Sequence, residues 1–175
     1  PPACGKLLKE VLDDVLANVP KEKIDERILK FKSSMNTMPI DGISMPTGVK
    51  NLSKYVERKL EDDKFTTFKS GAPVHVKSAV NYNDLLLHFE VSKQYLYISS
   101  AEKIKWVYLT KNPLGIESLA YKGYEDPKEI LQYIRDYIDY EKMYDKNLHR
   151  KIMMFYEAMG WSEPVDKNFT LERFF

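Results

Sequence analysis

Apolar positions near the start of the chain repeat at helical spacing. Leu7, Leu8, Val11, Leu12, Val15, Leu16 and Val19 share one stripe, which predicts a helix from about Cys4 to Asn18. Pro20 suits the first turn of a second helix ending near Asn36. That helix would turn Ile24, Ile28, Phe31 and Met35 inward and Lys21, Glu22, Asp25 and Lys32 outward. The pair forms a helical hairpin. The stretch MPIDGISMPTGVKNLSKY, with two Pro and two Gly, then reads as loop. A short helix is expected over Asn51 to Leu60. KFTTFKSGAPVHV reads as a second loop, and Val74 to Phe89 returns to helical spacing.

The periodicity next changes from helical to alternating. QYLYIS and KIKWVYLT are β-rich and alternate, so both are expected strands, with ESLAYKG a third. At EDPKEI, Asp126 can cap a helix, Pro127 take its first position and Glu129 complete a capping box. That helix should run to about Tyr137. A last helix from about Tyr140 to Met159 ends at Gly160. The order of elements predicts an α+β fold, mostly helical, with terminal helices forming a base around a mixed tip of loops, strands and helix. Residues 1–162 make one expected domain. Residues 163–175 make a polar connector and a terminal peptide.

Composition narrows the chemistry. The chain has 175 residues, 43% apolar and 30% charged, which suits one ordinary domain. One cysteine, Cys4, excludes an internal disulfide or a cysteine-rich metal site, and is expected to be a small core residue. No apolar run approaches the roughly 20 residues needed to span a bilayer, so no membrane partner is expected. A cytoplasmic setting is the default. Net charge is +1, and the cations are mostly lysine, with five arginines. Lysine holds phosphate as a point charge, so any polyanion contact is expected to hold backbones rather than read bases.

Catalytic constellations are hard to assemble. His75, His88 and His149 are scattered without metal-ligand spacing and read as surface or packing residues. The carboxylates fall mostly on helix faces. Asp84, Glu90 and Lys93 are the nearest imitation of a metal-dependent nuclease set, and their spacing is loose. No catalytic and no metal-binding residue is assigned. The loops carry more. GVKNLSKY gathers Lys50, Asn51, Ser53 and Lys54 at a bend entering a helix, and GAPVHVKS does the same with Gly71, Pro73, His75, Lys77 and Ser78. Small residues admit an anion to backbone N–H groups, and helix N-termini favour negative charge. Two such loops could grip two phosphate strands.

The segments IDGISMPTGVKNLSKY, KSGAPVHVKSAVNYNDLL, AEKIKWVYLTKNP, IDYEKMYDKN, EAMGW and TLERFF resemble, in this order, the C-terminal thumb of family B DNA polymerases of the T-even-type tailed-phage group. The resemblance spans nearly the whole chain. Its opening PPACGKLLKE resembles the first thumb helix, entered directly after the palm. It implies a fragment of a larger polymerase, or one half of a split one, in the cytoplasm of an infected bacterial host. The catalytic and editing carboxylates, with two Mg2+ ions in the palm, would lie outside this chain. The fragment itself would need no cofactor and would be inactive alone.

In that family the thumb wraps primer-template double-stranded DNA from the minor-groove side without sequence preference, and the resemblance implies the same here. By resemblance Lys50, Asn51, Ser53 and Lys54 form the first gripping loop, and His75 and Lys77 the second. Lys146 matches a family lysine of open role and is counted with them. Two positions depart from relatives. Gly71 stands where some carry lysine, with Lys69 nearby, and Asp84 where some carry arginine or histidine.

TLERFF resembles the terminal peptide that docks on the phage sliding clamp. Leu171 and Phe174 lie three apart on one helical face, with Phe175 beside them. Burying the three is worth on the order of 5 kcal/mol before ordering costs. The alternative is that the two rings pack on their own domain. The implied partners are duplex DNA, the sliding clamp and the polymerase palm. The alternative functions are a stand-alone DNA-binding or clamp accessory protein and a small metal-dependent nuclease.

Overall fold

The computed structural model describes residues 1–59, 61 and 64–165. The fold is α+β, with helix well in excess of strand. Two compact units divide the chain. One takes Pro1–Ile43 with the stretch from Tyr140 onward, and the other takes Ser44–Asp139. The terminal helices thus share one unit, and the mixed middle makes its own.

In the terminal unit, α1 (Pro2–Leu16) packs against α2 (Lys21–Ser34), α3 (Ile40–Ile43) and α7 (Arg150–Ala158). Its stripe is narrower than the sequence suggests. Cys4, Leu7 and Val11 are buried, whereas Leu12 and Leu16 on the flanking row stay exposed. Burial pushes the Cys4 thiol pKa up, as expected of a core cysteine. In α2, Ile24 and Ile28 are buried as expected. Asp25 is buried too, against its outward assignment. Its carboxylate accepts the Tyr156 hydroxyl at 2.5 Å and pairs with the Lys21 ammonium. A buried carboxylate is tolerable only with such partners.

The last predicted helix runs over the expected span but is not α-helical throughout. It comprises α6 (Tyr140–Tyr144), a wide π-helical turn over Asp145–His149, and α7. Within the turn, the buried Asn147 side chain donates to the Met143 carbonyl. Gly160 closes α7 at φ 67°. The Trp161 and Gly160 N–H groups bond the Tyr156 and Glu157 carbonyls, and the Trp161 and Tyr156 rings meet edge-on at 5.4 Å. That is a Schellman ending with its apolar contact, and it confirms the glycine stop.

In the middle unit, β1 (Met45–Gly48), β4 (Lys103–Tyr108) and β5 (Ser118–Tyr121) form an antiparallel sheet in the order β1-β4-β5. Met45 stands opposite Trp106, and Lys105 opposite Tyr121. The helix α4 (Val74–His88) packs on β5 and β4, and α5 (Lys128–Tyr137) also packs on β5. Leu85, Leu86, Val107, Leu119, Ala120, Ile130 and Ile134 are buried there.

QYLYIS is not a strand. Both backbone bonds that a neighbouring strand would give Ile98 come instead from the Asn83 amide, at 2.7 and 2.9 Å. The expected short helix over Asn51 to Leu60 is also absent as such. A single 3-10 turn, Leu52–Tyr55, leads into β2 (Val56–Arg58), which pairs with β3 (Thr67–Phe68).

One capping device recurs. Pro20, Pro73 and Pro127 each precede a helix, and each carbonyl accepts the N–H groups of the third and fourth helical residues. Proline lacks the N–H that such a position would leave unpaired, and its fixed φ suits it. The expected Asp126 cap does not form. Its carboxylate points backward, accepting Lys122 and Gly123 N–H groups at 2.7 Å each. Asp126 therefore closes the β5–α5 turn rather than starting α5.

Candidate nucleic-acid interface

The first lysine loop leaves β1 at an anchored residue. The Val49 N–H donates to the Glu102 carbonyl, and its own carbonyl accepts from Ala101, at 2.9 and 2.8 Å. Lys50 follows and is exposed. Asn51 adopts φ 55° and ψ 49°, the left-handed region that asparagine tolerates better than most residues. It turns the chain into the 3-10 turn that carries Ser53 and Lys54, both exposed. The Lys54 ammonium lies 5.2 Å from the centre of the Tyr55 ring.

The second loop begins at Lys69, whose N–H donates to the Tyr55 carbonyl at 2.9 Å. This bond extends the β2–β3 ribbon and brings the end of one loop beside the start of the other. Gly71, at φ 78°, then turns the chain so that the Ala72 N–H reaches the Lys69 carbonyl. After Pro73, α4 starts with His75 in its first turn and Lys77 just behind, both half-buried. Ser78 is spent on its own helix, bonding the Val74 carbonyl. The 3-10 turn packs on α4.

Lys50, Asn51, Ser53, Lys54, His75 and Lys77 therefore belong to one connected region of the middle unit. Lys146 is exposed in the π-helical turn of the terminal unit. Leu171, Phe174 and Phe175 lie outside the described residues.

The ribbon is held from beneath by Asp84. This buried carboxylate accepts the Thr66 N–H at 2.8 Å. Burial raises its pKa, although the Thr66 bond opposes the shift. Asp84 thus holds the backbone at the entry to β3. Glu90 follows the end of α4 at φ 58°, and Lys93 lies in the turn beyond it. Among the described residues no group of three His, Cys, Asp or Glu side chains could hold a metal ion.

Strand pairing adds one residue that sequence reading missed and gives a place to another that it noted. Lys103, opposite Gly48 on β4, is exposed beside the first loop. Lys69 joins through the ribbon. Neither could be placed without the strand register. None of Lys50, Lys54, Lys69, Lys77 or Lys103 makes an ion pair among the described residues. Their charge is thus available to an external anion. Among the described residues no helix is long and apolar enough to cross a membrane. No family model matches the chain, and no curated protein matches it significantly.

Proposed function

We propose that this chain is the thumb of a family B phage DNA polymerase. It grips primer-template duplex by both backbones and carries a terminal clamp-docking peptide. The observation that carries the reading is the ribbon bond from Lys69 to Tyr55, which sets the two lysine loops side by side. Sequence order supports it, since six motifs follow the family's order. The lysine-rich, arginine-poor cation set suits backbone contact without base reading. Lys50, Asn51, Ser53 and Lys54 would hold one strand, and His75 and Lys77 the other. Lys146 would add a contact from the terminal unit.

In this reading the chain performs no chemistry. The two Mg2+ ions and the carboxylates that bind them belong to the palm. Leu171, Phe174 and Phe175 would anchor the sliding clamp, and tethering would multiply two modest affinities.

The test is equilibrium binding of the chain to labelled duplexes of equal length and unrelated sequence. Equal affinities that fall steeply with salt are expected. No duplex binding at low salt would overturn the reading. Removing Leu171–Phe175 should abolish clamp binding and leave duplex binding intact, and clamp binding that survives would place that interface elsewhere.

A further inference from the structure

Beside the second loop, the middle unit holds a groove of about 610 Å³. That volume lies in the range of small-molecule sites, about 300–1,000 Å³. Its lining includes Phe65 and Phe68, two lysines (Lys64 and Lys77) and one carboxylate, Glu117. Both rings are half-buried. Neither Lys64 nor Lys77 makes an ion pair among the described residues.

Asn81, one turn beyond Lys77 on α4, also lines the groove and is only 4% exposed. Its Nδ2 donates to the Ser118 carbonyl at 2.8 Å. That bond leaves Oδ1 as an acceptor with no partner among the described residues. That oxygen is not sealed off, so it is open to accept a ligand N–H from the groove.

Both walls are preformed. Asp84 fixes the Thr66 wall. Asn112 fixes the opposite loop, bonding the Thr110 and Ile116 carbonyls at 2.7 Å each and accepting the Tyr133 hydroxyl.

We propose that this groove binds one unpaired nucleotide. The base stacks against the phenylalanine rings and donates an N–H to Asn81 Oδ1, and the phosphate meets Lys64 and Lys77. Stacking on aromatic rings within a cationic groove is the general means of holding unpaired nucleotides. The site goes beyond duplex gripping and does not depend on it. The same chemistry could come from a free nucleotide or from an unpaired residue of a strand.

The experiment is an amide NMR titration of the whole chain with dAMP, with deoxyribose 5-phosphate and with a short deoxyadenosine oligonucleotide. Duplex binding is measured separately. The expected result is that dAMP moves the Thr66, Asn81 and Gly115 amides. The sugar phosphate should act about tenfold more weakly, for want of stacking. Phe65→Ala should weaken dAMP about tenfold and leave duplex binding unchanged. Tighter binding of the oligonucleotide at the same amides would identify a strand as the source, and dAMP binding without it would identify the free nucleotide. No shift with dAMP on the unaltered chain, or equal shifts with the sugar phosphate, would overturn the proposal. Loss of duplex binding with dAMP shifts retained would count against the grip and leave the groove standing.

Discussion

Lys54→Ala is the sharpest perturbation of the interface. Lys50, Lys54, Lys69 and Lys77 lie on two loops joined by the ribbon bond, without ion pairs among the described residues. If each neutralises one phosphate, the logarithm of affinity should fall against the logarithm of salt with a slope of about −3.6. From about 50 to about 200 mM salt, the unaltered chain then loses about 150-fold in affinity. Removing Lys54 should bring the slope to about −2.7 and the loss to about 40-fold. Its contact with the Tyr55 ring positions the ammonium but leaves its charge intact. Lys77→Ala should have the same effect from the other loop. Lys9→Ala, exposed on α1, is the control. The assay is fluorescence anisotropy of a labelled duplex across a salt series, repeated on a second sequence. Unchanged slopes in both loop variants would refute the assignment. A drop confined to one sequence would mean that bases, not phosphates, are being read.

Three further expectations concern the scaffold. Tyr156→Phe leaves the buried Asp25 carboxylate with one donor fewer, so stability should fall by about 2 kcal/mol, read by denaturant titration. A loss near zero would mean that Lys21 alone satisfies the carboxylate. Glu90→Gly relieves a left-handed residue at the end of α4 and should add about 1 kcal/mol, unless the measured melting temperature fails to rise. Asp84 has a folded pKa raised by burial, so its contribution to stability is fullest below the ordinary value of 3.8 and is lost as pH rises through the folded value. Asp84→Asn should therefore flatten the decline of stability as pH rises from 3.8 towards the folded value. An unchanged pH profile would contradict the assigned burial effect.

The helices were legible because their apolar spacing and stops are local. Val74 to His88 and the Gly160 ending could be read directly from the sequence. Three misreadings share a cause, since in each a side chain replaced a backbone partner or turned the other way, whereas α3 and β1 lie in a stretch read as loop because of its Pro and Gly residues. Asn83 stands in for a strand beside Ile98, and Asp126 reaches back into a turn. Asp25 looked like a surface acid because its partner Tyr156 is 131 residues away. The lysine loops were visible as composition. Their adjacency was not, because it depends on a two-residue strand, Thr67–Phe68, paired across a bulge. Lys103 entered only through register with Gly48.

The most direct measurement is an amide NMR map of the chain titrated with a short blunt duplex. A thumb that grips by these loops should show its largest shifts over residues 49–55 and 69–77, whatever the duplex sequence. Shifts concentrated elsewhere, or none at low salt, would contradict the central claim.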